Sequence, residues 1–191
     1  EKKLIAAGEK LTKSREKAAK QFTDGVCEAL KLMDMASVEF LVNISKGKYT
    51  KNGCDEIEFF ISANAGESIK PLYKVASGGE LSRIMLAIKS VIAGKDTVET
   101  LIFDEIDSGI SGRAALKVAK QLKEVAAARQ VICVTHLAQI ASFADTHFLI
   151  EKSVSNNRTF TNVIPLDYDS RVKEIARIMS GTELTENTIK S

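Results

Sequence analysis

Two adjacent carboxylates at the end of an apolar run are the residues of this sequence best placed to do chemistry. The run Leu-Ile-Phe at residues 101–103 is followed directly by Asp104 and Glu105. Ligands of open α/β sheets bind just outside the carboxyl ends of the strands. Two acids at that position can divide the work, because one can hold Mg²⁺ and the other can orient a nucleophilic water. A strand that ends in a solvated acidic turn has the same pattern, so the spacing leaves both interpretations open.

A serine followed by two glycines forms the second candidate feature. Ser77 is well placed to cap a helix that starts at Gly78 and Gly79. The free N–H groups and the dipole of a helix N-terminus favour bound anions. The segment therefore predicts a phosphate-binding helix start, although an ordinary Ser-capped helix has the same sequence pattern.

His136 and Asp107 extend the set of candidates. His136 closes a second apolar run, residues 130–136, and would reach the same sheet edge as the two acids. A lone histidine is more often a hydrogen-bonded structural residue, and His147 is interpreted in that way. Asp107 follows the acids closely, and it would either cap the helix that begins near Gly112 or act at an interface.

The elements that must position these residues can be traced from hydrophobic spacing. Residues 1–33 contain no proline and carry apolar residues seven apart, which predicts one long helix of the kind found at the end of a coiled coil. Alternating apolar residues at 38–44 and 57–61 predict an antiparallel hairpin, followed by a loop at 63–71. Further along, helices and buried strands alternate, which predicts an α/β fold with a mainly parallel sheet flanked by helices. The helices are expected at about 79–93 and 112–128, the strands at 99–105 and 130–136, with two later strands and a last helix capped by Asp169 or Ser170.

Composition narrows the class of protein. The 191 residues are 45% hydrophobic and 27% charged, which is typical of a folded globular protein and argues against disorder. The net charge of +2 is too small to predict nucleic-acid binding by itself. Residues 1–20 carry seven Lys/Arg and three Glu, but a basic helix is usually a solvated face. The three separated cysteines and the lack of a signal peptide or membrane-spanning run lead us to expect a cytoplasmic protein with reduced thiols and no membrane partner.

Taken together, the four features resemble the heads of the SMC-type ABC ATPases, and within that family the C-terminal portion of the RecN type. SGGELSR at 77–83 resembles the signature motif, and LIFDE at 101–105 resembles the Walker B strand. IDSGISG at 106–112 resembles the D-loop. VTHLAQIASFADTHFLIEK at 134–152 resembles the switch-histidine segment. The resemblance covers most of residues 35–181.

The resemblance implies a role for each matched residue. Glu105 would be the catalytic acid, and His136 would be the catalytic switch that senses the γ-phosphate. Asp104 would be the Mg²⁺ residue. The residues expected to bind the nucleotide belong to the signature motif and the D-loop: Ser77, Gly78, Gly79, Glu80 and Asp107.

The sequence lacks one part of such an ATPase. A P-loop has the pattern G-x-x-x-x-G-K-[ST], and the nearest segment has Lys89 in place of the first glycine and Asp96 in place of Ser/Thr. We therefore expect two parts, with residues 1–33 as the end of a coiled-coil arm and residues 34–191 as the C-terminal half of an ATPase head. The implied partners are the N-terminal P-loop half of the same protein, a second head in a homodimer, and DNA.

The resemblance also implies an activity. The full-length protein would use ATP and Mg²⁺ and hydrolyse ATP between dimerised heads in DNA double-strand-break repair and recombination. It would be cytoplasmic and associated with the nucleoid, and the isolated fragment would be inactive. Two alternatives remain open from the residues alone: a nucleotide-binding subunit of a transporter, or a head-dimerisation module without turnover.

Overall fold

The computed structural model describes residues 1–62, 66–75, 77–155 and 158–181. These residues form alternating helices and strands around one core. In chain order the elements are α1 (Lys2–Leu32), β1 (Glu39–Thr50), β2 (Gly53–Ser62), β3 (Lys70–Pro71), a 3-10 turn (Leu72–Lys74), α2 (Gly78–Ile92), β4 (Thr100–Phe103), α3 (Gly112–Ala126), β5 (Gln130–Cys133), α4 (Ala138–Ala141), β6 (Phe148–Ser155), β7 (Arg158–Pro165) and α5 (Tyr168–Ser180).

The long first helix and the hairpin agree with the sequence prediction. The first half of α1 is mostly exposed, whereas its last turns bury Val26 and Leu30 in the core. β1 and β2 pair antiparallel, so their apolar residues share one face, with Phe40 opposite Ile61. The ring of Phe22 on α1 lies 5.8 Å from the ring of Phe40 between centroids. The C-terminal part of α1 therefore packs on the hairpin.

The segment predicted as a loop at 63–71 contains a short strand. β3 pairs antiparallel with β2 at Phe60 and Ile61, while residues 63–65 lie outside the described residues. Pro71 suits this edge position because it has no N–H to donate to a further strand. The expectation of a loop is therefore wrong for the last two residues of that segment.

The functional half of the fold is a parallel pair of strands covered by helices. β4 and β5 pair in parallel, with Leu101 opposite Val131 and Phe103 opposite Cys133. Leu101 and Phe103 point into the core, whereas Ile102 between them is 68% exposed. The α/β class is confirmed, but parallel pairing among the described residues is confined to β4 and β5. β1 pairs with β2 and β6 with β7 antiparallel because each pair is separated by only two residues, and β3 also pairs antiparallel with β2.

The last helix begins at least two residues earlier than expected. Asp167, rather than Asp169 or Ser170, caps α5, because its carboxylate accepts the Ser170 amide at 2.8 Å. The helix ends at Gly181, which has a left-handed φ of 82° as the sequence predicts for a helix stop.

A buried carboxylate ties α1 to the β1–β2 hairpin. The side chain of Asp55 is 1% exposed. It accepts hydrogen bonds from the Thr12 hydroxyl at 2.6 Å and from Arg15 Nη1 at 2.7 Å. Arg15 Nη2 also donates to the Asn52 carbonyl in the turn at 2.6 Å. The bonds from Thr12 and Arg15 hold the pKa of Asp55 below its ordinary value of 3.8.

This network predicts a pH dependence of stability. Because the folded state favours the Asp55 carboxylate, its contribution is complete above the unfolded-state pKa and is lost as the pH falls through the lower folded pKa. Asp55→Asn is expected to lower the free energy of unfolding at neutral pH and to flatten its decline between about pH 5 and about pH 2 in urea titrations. Asp24→Asn, at an exposed position of α1, should change neither property. An unchanged acid limb in Asp55→Asn would show that this carboxylate does not control acid stability.

Candidate functional site

The start of α2 has the geometry expected of an anion-binding helix N-terminus. Ser77 is the N-cap residue, and its hydroxyl accepts the Glu80 amide at 3.4 Å. Ser77 and Gly78 are exposed, whereas Gly79 is buried against the following loop. The first N–H groups of a helix have no partner within the helix. The exposed end of α2 can therefore receive a phosphate group through backbone N–H groups and a serine hydroxyl.

The two acids stand beside this helix end. Asp104 and Glu105 follow β4 directly and are both exposed, and Asp104 Oδ1 accepts the Glu105 amide at 2.9 Å. Glu105 has a φ of 55°, a left-handed conformation that costs a non-glycine residue roughly 1–3 kcal/mol and occurs often at functional sites. Its carboxylate lies so close to Gly78 that a Cβ at that glycine would collide with Glu105 Oε2. The sequence-predicted anion site and acids are thus neighbours.

Asp107 holds the loop that follows β5. Its side chain is 3% exposed and accepts hydrogen bonds from the Thr135 hydroxyl and, at 2.9 Å, from the His136 amide. His136 Nδ1 lies 3.1 Å from the same carboxylate oxygen, while 75% of the imidazole side chain remains exposed. Asp107 therefore orients His136 outward. Of the two roles that the sequence left open for Asp107, capping of the next helix is wrong, because the N-cap of α3 is Ser111.

The buried Asp107 carboxylate is predicted to contribute more to stability than the exposed Asp104 carboxylate. Asp107→Ala would leave the Thr135 hydroxyl and the His136 amide without their acceptor and is expected to cost about 1–3 kcal/mol. Asp104→Ala is the matched control, and it should cost less because, among the described residues, its exposed carboxylate accepts a bond only from the adjacent amide. Denaturant unfolding measures both. Equal losses in the two variants would contradict a structural role for the Asp107 carboxylate.

Two hydroxyls at this site had no role assigned from the sequence. Ser82 Oγ donates to the Asp104 carbonyl at 2.7 Å, and Thr135 donates to Asp107. A serine inside a helix and a threonine at a strand end are common, so their spacing carries no distinctive signal. The dipeptide Thr-His at the end of a buried strand was the available hint for Thr135.

Cys133 lies under the site as an unreactive thiol. Burial, with smaller contributions from Asp107 and Asp104, raises the pKa of Cys133 to about 12. The thiol therefore stays protonated at neutral pH and is a poor nucleophile. Cys27, Cys54 and Cys133 are all free thiols, as the sequence predicts.

The metal-binding side chains at this site suit a metal ion that is bound together with a phosphate group. In the described parts of the chain, no three or more His, Cys, Asp or Glu side chains are grouped as a metal site. Asp104 offers one exposed carboxylate, with one oxygen engaged by an amide. Mg²⁺ is commonly bound by one or two carboxylates together with substrate phosphates and waters. The residues therefore fit Mg²⁺ shared with a nucleotide better than a dedicated protein cage.

Across the described residues, every helix is too short or too polar to cross a lipid bilayer.

Comparison with known sequences finds proteins similar to this chain. Over 183 residues the chain is 42% identical to the DNA repair protein RecN of Halalkalibacterium halodurans, covering 93% of this chain and 32% of that protein. It is 44% identical over 185 residues to RecN of Treponema pallidum, with coverages of 93% and 32%. The chain corresponds to one segment of these RecN proteins. It spans about a third of the length of these RecN relatives, and no family model matches it.

Solved structures confirm the fold of this RecN segment. An Smc head domain with a coiled coil and joint from Pyrococcus yayanosii superimposes with a TM-score of 0.60 at 20% identity, covering 88% of this chain and 30% of that one. A chain from work on ATP-driven dimerization and DNA-stimulated activation of SMC ATPases gives 0.53 at 19% identity, covering 91% and 99%. At these identities the likeness establishes the fold alone, which is that of an SMC-type head.

Proposed function

We propose that this chain is the C-terminal half of the ATPase head of a RecN protein that binds and hydrolyses ATP between two heads in DNA repair. Residues 34–191 would form the half-head and residues 1–33 the end of a coiled-coil arm. The observation that carries the proposal is the assembly at one end of α2, β4 and β5. A free helix N-terminus, two exposed acids and an exposed histidine meet there in a chain that corresponds to one segment of RecN proteins.

The proposed chemistry is phosphoryl transfer to water, which depends mainly on positioning and charge stabilisation. Glu105 would orient the attacking water and accept its proton in the head that holds the nucleotide. His136, held through Asp107, would contact the γ-phosphate with its outward nitrogen. Asp104 would hold Mg²⁺, which when bound neutralises charge on the phosphate oxygens.

The signature segment would act on the nucleotide of the other head. The Ser77 hydroxyl and the N–H groups of Gly78 and Gly79 are exposed or lie at the helix start, where they can donate to a γ-phosphate. ATP would then join two heads, and its hydrolysis would release them. A homodimer is proposed because each of the two ATP sites would need the acids of one head and the signature segment of the other.

An uncovered sheet face supports a partner half from the same protein. On the outer face of this strand pair, Ile102 in β4, Ile132 in β5 and Val134 directly after β5 are 68%, 46% and 46% exposed. Parallel strands are normally covered on both faces. Because the RecN relatives are about three times as long as this chain, the remaining sequence can supply the covering layer. We propose that this layer is the P-loop half.

DNA is proposed as the substrate on which the arms act. The RecN relatives are DNA repair proteins by name. The arm would convert head joining and release into tethering of DNA. A cytoplasmic, nucleoid-associated location follows from this proposal.

The half-head proposal is tested by titrating Mg·ATP in a calorimeter. The full-length protein is expected to bind, and this chain alone is expected to bind weakly or not at all, because the phosphate cradle is missing from its sequence. Ser77→Ala in the full-length protein is the matched control and should leave binding to a single head unchanged. Low-micromolar binding by this chain alone would overturn the proposal.

A further inference from the structure

A buried guanidinium holds the loop that carries the two acids. Arg83, on the second turn of α2, is 6% exposed. Its Nη1 donates to the Ile106 carbonyl at 3.0 Å and to the Ser108 carbonyl at 2.9 Å. The neighbouring Ser82 donates to the Asp104 carbonyl at 2.7 Å. Two consecutive side chains of one helix therefore hold every second carbonyl of the loop from 104 to 108.

This arrangement is costly for a residue that would serve stability alone. A buried charge is unfavourable unless it is paired and fully hydrogen-bonded. Arg83 is hydrogen-bonded to neutral carbonyls, and its buried Nε has no partner among the described residues. Burial lowers the pKa of Arg83, and the charges of Glu80 and Asp107 offset this only in part. An apolar side chain would fill the same space without this cost, but it could not fix the loop carbonyls.

Arg83 joins two groups that would serve different nucleotides. The start of α2 would face the nucleotide of the other head, and the loop at 104–108 would face the nucleotide of its own head. Gly79 packs directly on the same loop, since a Cβ there would stand 2.8 Å from the Ser108 carbonyl. The loop is also held from its other side through Asp107 and the residues after β5.

We propose that Arg83 is a positioning residue that makes the signature helix and the acidic loop one rigid unit, so that engagement of α2 by the second head sets the position of Glu105. This inference rests on the proposed function, because it assigns Arg83 to that same site. The inference can be tested independently of ATP hydrolysis, since it requires the loop from Glu105 to Ile110 to loosen when the guanidinium is removed.

The test uses the full-length protein with Arg83→Met, which keeps an unbranched apolar stem and removes the guanidinium donors. Turnover number is expected to fall on the order of 10²-fold, because a small misplacement of a catalytic group has effects of this size. The KM for ATP should stay near the wild-type value, since Arg83 touches no nucleotide. Arg83→Lys should recover part of the loss, because an ammonium can donate to one of the carbonyls. Lys89→Met, on the same helix and paired with Asp96, should leave turnover unchanged.

A second readout does not depend on hydrolysis. The amides of Ser108 and Ile110 donate to the carbonyls of Glu105 and Asp107 at 2.9 and 3.3 Å. Their hydrogen exchange should be faster in Arg83→Met than in wild type. Unchanged exchange at these amides overturns the inference, even where turnover falls. Faster exchange in a protein whose wild type does not hydrolyse ATP would overturn the proposed function and leave the positioning role standing.

A double variant separates positioning from a general loss of structure. If Arg83 acts through Glu105, adding Arg83→Met to Glu105→Gln should lower the residual turnover little further. If Arg83→Met lowered turnover by the same factor in wild type and in Glu105→Gln, the inference would be overturned. Where Arg83→Met does not fold, Arg83→Lys and Ser82→Ala are judged by the same exchange measurement.

Discussion

Glu105→Gln in the full-length protein is expected to reduce ATP turnover by about 10²–10⁴-fold, the usual contribution of a general base. Gln keeps the size of the side chain and its hydrogen-bonding oxygen but cannot accept the proton of the attacking water. The ATP-bound state should therefore form and persist. Head dimers joined by ATP are expected to accumulate in size-exclusion chromatography with light scattering.

The experiment needs a matched control, and two outcomes would contradict the expected result. Glu99→Gln, an exposed acid before the opposite end of β4, is the matched control and should hydrolyse ATP at the wild-type rate. Normal turnover in Glu105→Gln would show that the catalytic assignment is wrong. Loss of turnover without trapped dimers would show instead that Glu105 is needed to bring the heads together.

Gly79→Ala is expected to destabilise the head by roughly 1–3 kcal/mol, the usual cost of overpacking a tight contact. A Cβ at Gly79 would stand 2.8 Å from the Ser108 carbonyl and 3.0 Å from the Glu105 carbonyl, and backbone atoms cannot turn aside. The start of α2 and the acidic loop would have to separate, so turnover should fall with stability. Urea unfolding and steady-state ATPase assays measure the two effects.

Gly78→Ala provides a contrast one residue away. A Cβ there meets only the Glu105 carboxylate, which lies at the end of a flexible side chain. Stability should remain close to wild type, although Glu105 must move. Equal destabilisation by the two alanines would contradict the close packing of Gly79 against the loop.

Local rules explain why much of the framework could be predicted from the sequence. Ser77 and Gly181 mark helix ends through capping chemistry that depends only on neighbouring residues. The alternation that places Phe40 opposite Ile61 is likewise a property of single strands with one buried face. The sequence also predicted an anion-binding helix start at Gly78 and two acids after β4, but the structure alone shows that Gly78 and Glu105 are neighbours.

Features that depend on tertiary contacts could not be predicted. Asp107 lies too close to a helix start for sequence spacing to reveal its bonds to the loop after β5. Arg83 is a typical helix residue in sequence, and its burial appears only when the loop at 106–108 folds over α2. The mainly parallel sheet was an extrapolation from alternating elements, whereas turn length decided the pairing of β6 with β7.

The central claim is that each ATP site combines Glu105 of one head with Ser77 of the other. Full-length proteins carrying Ser77→Ala or Glu105→Gln would be co-expressed with different affinity tags, and the mixed dimers would be purified. Removing one donor to the phosphate should lower turnover by about 10²–10³-fold, so both parent homodimers should be nearly inactive. In the mixed dimer, one of the two composite sites keeps both groups.

The ATPase rate of this mixed dimer is the decisive measurement. Roughly half of the wild-type turnover is expected, because one site in each symmetric pair is intact. Pairing Ser77→Ala with the double variant Ser77→Ala/Glu105→Gln leaves no intact site and should restore nothing. A mixed dimer as inactive as its parents would contradict the account, because it would mean that Ser77 and Glu105 act on the same nucleotide within one head.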